Sequence, residues 1–322
     1  MRKLNVGLIV GGLALAAATF NIARAQDYPA KPVHIIAPFA AGGSGDVTTR
    51  LVADYLGKRW NQPVVVENRA GGGGLIGSND VKRAAPDGYT LLMGYDALTS
   101  FALFIKDSGF DAARDLTPVS LLVRYPLALL ATASLPAKTL PELISYTKAN
   151  PGKVNFGIIT NAPGHLYGLV LAQKAGIDYT MIPYASAQAL TAAMLSGESH
   201  LTLSLYGSFV PAIKDGRVRA LAVAAPARMR DASSVPTFRE NGIDIDAAVW
   251  YGLFAPAGTP VPIVARVSQA AQDWVKQPAA QETASKLAME LVGSTPQELA
   301  KVVADDTAAR AAAAKLGKIE PK

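Results

Sequence analysis

The chain has no cysteine among its 322 residues. Disulfide bonds and thiolate metal sites are therefore excluded, and so is a lipid anchor attached to an N-terminal cysteine. A chain without thiols suits an oxidising compartment, where an unpaired cysteine is a liability. Histidine is also scarce, with three in the sequence, and no two of them have metal-ligand spacing. We therefore predict neither a metal site nor a bound cofactor.

Charge is sparse and nearly balanced. Only 17% of the residues are charged, whereas half are apolar, and this composition predicts a large ordered interior. Of the 31 basic residues, Arg2, Lys3 and Arg24 lie in the N-terminal segment discussed next, which leaves 28 against 25 acidic residues. So small a positive excess does not indicate a nucleic-acid partner.

Residues 1–25 have the three parts of a secretory signal peptide. Arg2 and Lys3 give a positive start, an apolar run extends from Leu4 to Phe20, and Ala23-Arg24-Ala25 is a small-x-small cleavage site. Glycines interrupt the run, whereas a membrane anchor needs about 20 firmly apolar residues. We predict export from the cytoplasm with cleavage after Ala25, and no later segment is apolar enough to span a bilayer. The remaining chain is long enough for two lobes.

Short apolar, β-branched runs alternate with helical patterns along the chain, which predicts an α/β fold with a largely parallel sheet. Thr139 is the predicted N-cap of one of the helices. The predicted strands are 33–38, 64–66, 90–93, 119–130, 154–159, 179–182, 201–205 and 219–224. The predicted helices are 47–60, 76–84, 140–149, 164–174 and 187–195, and two more begin at Val261 and Pro296.

The turn at 39–46, between the first strand and the first helix, is rich in glycine. Glycines allow the backbone to approach a ligand closely, and the free N–H groups of a helix start favour an anion. An ordinary tight turn with Ser44 or Asp46 as N-cap is the alternative, and both interpretations are compatible. Further strand-to-helix loops at 94–99, 160–165 and 183–188 carry small polar residues. The carboxyl ends of strands meet in one crevice, so these loops predict a single ligand cleft.

Two enzymatic interpretations are weaker. Residues 72–77 satisfy the dinucleotide pattern G-x-G-x-x-G, but an exported protein has no obvious dinucleotide supply, and residues 67–70 separate the pattern from its strand. Ser44, His165 and Asp46 are the only plausible hydrolase triad, and the G-x-S-x-G elbow is missing. We therefore predict a binding protein and no catalytic residues.

Several ordered motifs resemble one known family, the tripartite tricarboxylate transporter receptors, also called Bug proteins. The resemblance covers essentially the whole chain after the signal segment. The matching segments are YP-x-KP at 28–32, PFAAGG at 38–43, PVVVENR at 63–69, APDGYTLL at 85–92, PY at 183–184, GLFAPAGTP at 252–260 and GSTP at 293–296.

The resemblance implies a type II, Venus-flytrap periplasmic binding protein with a mixed, mostly parallel sheet in each lobe. Lobe one is expected to comprise residues 27–123 plus 224–322, and lobe two residues 124–223. The protein is expected to be a periplasmic monomer that delivers a small carboxylate to the membrane permease subunits of a tripartite tricarboxylate transporter. A sensor that presents its ligand to a signalling partner is the alternative.

The resemblance also implies that main-chain donors in the 39–44, 160–165 and 184–186 loops hold the ligand's carboxylates. Many relatives have Asp-Asn where this chain has Ser204-Leu205, so an amino-acid ligand lacks a partner for its ammonium group. The predicted ligand-contacting residues are Phe39, Ala40, Ala41, Gly42, Gly43, Ser44, Asp46, Tyr95, Thr160, Asn161, Gly164, His165, Tyr184, Ala185, Ser186, Ser204 and Tyr206.

Aromatic residues suggest one ligand in particular. Phe39, Tyr95, Tyr206, Phe209 and Trp250 are predicted to line a flat apolar slot between two carboxylate sites. Such a slot favours an aromatic dicarboxylate, with terephthalate, a ligand known among relatives, as the leading candidate. If these aromatics instead pack in the core or at the hinge, the expected ligand is a short aliphatic dicarboxylate.

Overall fold

A computed structural model describes residues 28–160, 162–319 and 321. The predicted signal segment and Asn161 lie outside the described residues. Within them, no helix is long and apolar enough to cross a bilayer. The strands are β1 Val33–Ala37, β2 Val64–Asn68, β3 Thr90–Tyr95, β4 Leu116–Thr132, β5 Asn155–Ile158, β6 Thr180–Pro183, β7 Leu201–Leu205, β8 Val218–Val223, β9 Ala248–Pro256 and β10 Glu290–Leu291.

Helices cover much of the rest of the described chain, and short 3₁₀ turns occur at Gly72–Gly74, Asp96–Thr99, Arg230–Ala232 and Arg239–Asn241. The α-helices are α1 Ser44–Trp60, α2 Leu75–Lys82, α3 Phe101–Phe104, α4 Ala112–Asp115, α5 Leu140–Ala149, α6 Pro163–Ala175, α7 Ala187–Ser196, α8 Tyr206–Lys214, α9 Val261–Trp274, α10 Pro278–Leu287 and α11 Pro296–Leu316.

Local chemistry explains where helices begin. Thr139 caps α5 as predicted, because its hydroxyl accepts a hydrogen bond from the Glu142 amide at 3.3 Å. Thr295 and Glu298 form a reciprocal capping box at the start of α11. Both helices also have proline in their first turn, where a missing N–H donor is tolerated.

The strands form one continuous sheet in the order β2-β1-β3-β9-β4-β7-β5-β6, with β8 and β10 also paired to β4. Parallel units occur on both sides, β2-β1-β3 at one end and β7-β5-β6 at the other. In the middle, β9 and β4 pair antiparallel with each other and with their neighbours. The sheet is therefore mixed, with more antiparallel pairing than the alternation of strands and helices predicts.

Strand β4 belongs to both halves of the molecule. Its first part pairs with β9, from Leu116 opposite Pro256 to Pro126 opposite Ala248. Its second part pairs with β7, beginning at Leu127 opposite Leu205, and with β8. One uninterrupted strand thus connects the two parallel units.

Each half has its own hydrophobic interior. In the first half, one core forms around Val33, Leu91 and Leu253, and a second core lies on the other face of the sheet. In the second half, the cores form around Phe156 and Phe209. The two-lobed α/β fold predicted from the sequence is confirmed.

Candidate ligand-binding cleft

The loop after β1 leads directly into the N-terminus of α1. Gly42 has a φ of +90°, a conformation that favours glycine, and Gly43 is the N-cap. A Cβ atom added at either glycine would have no neighbour within 4 Å, so the space beside this backbone is open. The loop therefore presents exposed backbone at a helix start, a position that favours an anion.

Asp46 shapes this loop from inside the protein. It is only 4% exposed, and its Oδ2 accepts hydrogen bonds from the Gly42 amide at 2.9 Å and from Arg50 Nε at 3.0 Å. Asn68 Nδ2 donates to Oδ1 at 3.0 Å. The Arg50 hydrogen bond is the main cause that lowers the pKa of Asp46 to about 2. Asp46 lies within the first turn of α1 and is not its N-cap, and its carboxylate holds the loop in place.

Phe39, Tyr95 and Tyr251 form an aromatic cluster beside the loop. The Phe39 ring lies edge-on to both tyrosines, at centroid distances of 5.8 Å to Tyr95 and 5.7 Å to Tyr251. Ser44 Oγ lies 3.1 Å from Tyr251 Oη. Sequence reasoning missed Tyr251, although it directly precedes the 252–260 motif and could have been found from that position.

Tyr95 also explains the glycine-rich segment at 72–77. Its Oη donates a hydrogen bond to the Gly73 carbonyl at 2.6 Å, and a Cβ on Gly74 would lie 2.9 Å from the tyrosine ring. Burial raises the pKa of Tyr95 to about 12, so its hydroxyl is protonated at neutral pH. The G-x-G-x-x-G segment therefore supports Tyr95 by close packing, in agreement with the non-nucleotide interpretation.

The second half contributes Thr160, Gly164 and His165 at the start of α6. A Cβ on Gly164 would lie 2.0 Å from the Leu203 carbonyl oxygen, so glycine allows α6 to approach β7 closely. Thr160 is exposed, and His165 is half-buried, with its pKa lowered by burial. The predicted contact Asn161 lies outside the described residues.

The next loop, which precedes α7, is mostly engaged in local bonds. Tyr184 Oη donates to Glu198 Oε1 at 3.2 Å, and Ser186 Oγ caps α7 by accepting from the Ala189 amide at 3.2 Å. Ala185 is exposed between them. These bonds fix the loop and leave its exposed backbone as the group available to a ligand.

The predicted aromatic slot is only partly present. Tyr206, Phe209 and Trp250 are 8%, 1% and 3% exposed, and they pack in hydrophobic cores. Ser204, at the end of β7, is half-buried. Tyr206 and Phe209 lie on the buried face of α8, a helix that the sequence reasoning did not identify. Phe39 and Tyr95 remain beside the cleft, and Tyr251 completes the aromatic wall.

A cavity of about 600 Å³ lies between the two halves. Tyr95 and Tyr251 line it from the first half, and Thr160 from the second. Three predicted or newly identified site residues thus meet at one opening. The cavity extends beyond them along the side chains of Phe101, Phe104, Ile105, Ile159 and Val249.

A buried ion cluster borders this cavity. Arg310 is 1% exposed and donates to Asp96 Oδ2 and Asp306 Oδ1, each at 2.9 Å. Burial is the main cause that raises the pKa of Asp96 to about 6. Tyr167 of α6 also lies 3.4 Å from Asp306 Oδ1, so the cluster connects α6 with α11. Arg310 was not among the predicted site residues.

Ser44 and Asp46, which were considered above as members of a hydrolase triad, bond to other residues. Ser44 bonds to Tyr251, and Asp46 bonds to Gly42 and Arg50. Both residues thus serve the loop and its aromatic wall. In the described part of the chain, no cluster of histidine and acidic residues has the arrangement of a metal site.

The profile of the tripartite tricarboxylate transporter family receptor matches residues 48–316. The chain belongs to this family. The protein BugT of Bordetella pertussis is 32% identical to this chain over 312 residues, which cover 94% of this chain and 95% of BugT. The family consists of periplasmic binding receptors.

Solved structures of similar proteins have the same fold. The R. palustris protein Rpa4515, solved with adipate, is 29% identical to this receptor, with a TM-score of 0.76 over 92% of this chain and all of that one. MatC from Rhodopseudomonas palustris, solved with bound malate, is 29% identical, with a TM-score of 0.71 over 89% of this chain and 99% of that one. The periplasmic binding protein fold predicted from the sequence is confirmed.

Proposed function

We propose that this receptor captures a small carboxylate between its two lobes in the periplasm and delivers it to the permease subunits of a tripartite tricarboxylate transporter. One observation carries the proposal: the exposed residues 40–43 of the loop lie beside an aromatic cluster, and two members of that cluster, Tyr95 and Tyr251, also line the cavity between the lobes. The proposed role of the receptor is to bind its ligand without catalysing a reaction.

Main-chain donors suit such a ligand. A hydrogen bond to a charged group contributes about 1.5–3 kcal/mol, so several amide donors together support micromolar affinity without an exposed arginine. The helix starts at Ser44 and Pro163 add favourable dipoles on the two sides of the cleft. Ser44 and Tyr251 supply hydroxyl groups beside them.

The favoured ligand class is a dicarboxylate. Adipate and malate are the ligands in the two similar structures described above. Ser204 and Leu205 offer no carboxylate for an ammonium group, which disfavours amino acids. We retain an aromatic diacid such as terephthalate as a specific candidate, because Phe39, Tyr95 and Tyr251 form a wall suited to a flat ring.

The lobe boundaries are also a proposal. The family resemblance implies a return crossing near residue 224, with residues 124–223 as lobe two. Phe238, Ile243 and Ile245 pack in the second-half core with Phe156. This packing supports a return crossing near Ala248, where β9 begins, so we propose that residues 224–247 belong to lobe two.

A thermal-shift screen tests the function. Protein comprising residues 26–322 is mixed with mono-, di- and tricarboxylates, including succinate, malate, adipate and terephthalate, with glucose and glycine as controls. A ligand at 100 times its Kd stabilises the folded protein by about 2.7 kcal/mol, which gives a clear rise in Tm. A rise with carboxylates and none with the controls is expected. Failure of every carboxylate to raise the Tm would refute the proposal.

A further inference from the structure

The inner part of the cavity is apolar and is built by residues that the predicted site did not include. The first half supplies Phe101, Phe104 and Ile105, and the second half supplies Ile159. Phe104 and Ile105 are half-buried and lie on and after a one-turn helix that follows the Asp96–Thr99 turn. Both halves thus contribute apolar side chains to one surface.

This apolar surface is continuous with the proposed anion loop. Tyr95 and Tyr251 line the cavity, and the same two rings contact Phe39 of the loop. Ser44, the first residue of α1, bonds to Tyr251. A ligand whose carboxylate lies at the loop can therefore extend along the Tyr95 and Tyr251 rings into the apolar cavity.

The cationic side chain at the cavity is already paired with carboxylates. Arg310 is the only cationic side chain among its described lining residues, and it is 1% exposed. Each of its three nitrogens already donates a hydrogen bond, to Asp96, Asp306 or Ser100. The inner cavity therefore offers a ligand mainly apolar contact, with no unpaired cation among the described lining residues.

We propose that this inner cavity is a specificity subsite that binds the hydrophobic body of the carboxylate. The inference rests on the proposed function and names the ligand class: carboxylates with an aromatic ring or a longer hydrocarbon body, in preference to short, hydroxylated diacids. Each buried methylene strengthens binding by about fourfold. Terephthalate and adipate are accordingly expected to bind at least tenfold more tightly than malate.

Calorimetric titration of the 26–322 protein with terephthalate, adipate, succinate and malate tests the subsite. Two variants alter its lining: Phe104→Ala removes a ring, and Ile105→Asn introduces an amide. Val261→Ala is the matched control, because Val261 is 80% exposed and lies outside the cavity. Circular dichroism and the Tm of each unliganded variant establish that it is folded.

The expected result is that terephthalate and adipate lose about tenfold in affinity in at least one folded subsite variant, while succinate changes by less than threefold and the control matches the parent protein. If malate or succinate binds the parent protein more tightly than both longer ligands, the inference fails and the receptor function stands. Equal losses for all four ligands, or no loss in either variant, would also overturn it. If no carboxylate binds the parent protein, the proposed function itself fails.

Discussion

At the scale of single residues, Asp46 illustrates how a buried carboxylate holds a loop in place. Asp46→Asn replaces the charged carboxylate that accepts hydrogen bonds from Gly42, Arg50 and Asn68. We expect a loss of about 1–3 kcal/mol in unfolding free energy at pH 7, together with weaker ligand binding. Urea unfolding measures the first effect, and calorimetric titration measures the second.

The pH dependence of this effect has a definite sign. The folded pKa of Asp46, about 2, lies below the usual aspartate value, so its stabilisation is complete near neutral pH and is lost as the pH falls from about 4 to about 2. The difference between parent and variant should shrink over that range. Asp54→Asn on the same helix is the control, because its exposed pair with Lys58 contributes little. Equal effects of the two substitutions would contradict this role for Asp46.

The Arg310 cluster gives a second prediction at this scale. Arg310→Met leaves Asp96 and Asp306 without their buried cation, so we expect a loss of about 3–5 kcal/mol in unfolding free energy. Lys301→Met on the same helix removes only an exposed pair with Asp305 and should change stability by less than about 1 kcal/mol. Denaturant midpoints for the two variants provide the comparison. Similar midpoints would show that the cluster is not required for stability.

At the scale of elements, the position of α6 at the end of its strand depends on Gly164, whereas the start of α1 does not require glycine at position 43. Gly164→Ala places a Cβ against the Leu203 carbonyl and should separate α6 from β7. We expect the free energy of unfolding to fall by about 3 kcal/mol or more. At Gly43 there is open space for a side chain and the backbone angles are ordinary, and serine is a good N-cap. Gly43→Ser should therefore change the free energy of unfolding by only about a few tenths of a kcal/mol. Thermal unfolding distinguishes these outcomes, and a stable Gly164→Ala protein would contradict the packing argument.

Elements with a strong local signal were predictable from the sequence. The predicted bounds of α5 and β7 are the observed ones, because each has a clear pattern and, for α5, a capping residue. Helix α8 was missed because it contains Pro211, which usually argues against a helix interior. Strand β9 was missed because it is buried on both faces, so its sequence has no alternating pattern.

The candidate site was less predictable than the fold. Glycine-rich turns located the 39–44 loop, since turn chemistry is local. Whether an aromatic side chain faces the cleft or the core depends on the packing of distant elements, so Tyr206 was placed in the site and Tyr251 was not. Arg310 comes from a C-terminal helix, far in sequence from Asp96, and local patterns carry no signal of that contact.

At the scale of the whole molecule, two halves that have separate hydrophobic cores and are joined by shared strands predict relative motion of the lobes. Ligand contacts made by both lobes stabilise the closed arrangement over the open one. We expect the radius of gyration, measured by small-angle X-ray scattering, to decrease when a bound carboxylate saturates the protein. A scattering curve unchanged by a ligand that raises the Tm would show that binding does not close the lobes.

Strand β9 also has a consequence for the order in which the chain can fold. It pairs with both β3 and β4 and completes the sheet of the first half, yet residues 124–247 separate it in sequence from that half. The first lobe cannot complete its sheet until Ala248–Pro256 has been synthesised. Contacts of such high sequence separation form slowly. The sheet of the first lobe therefore remains incomplete for most of the synthesis of the chain.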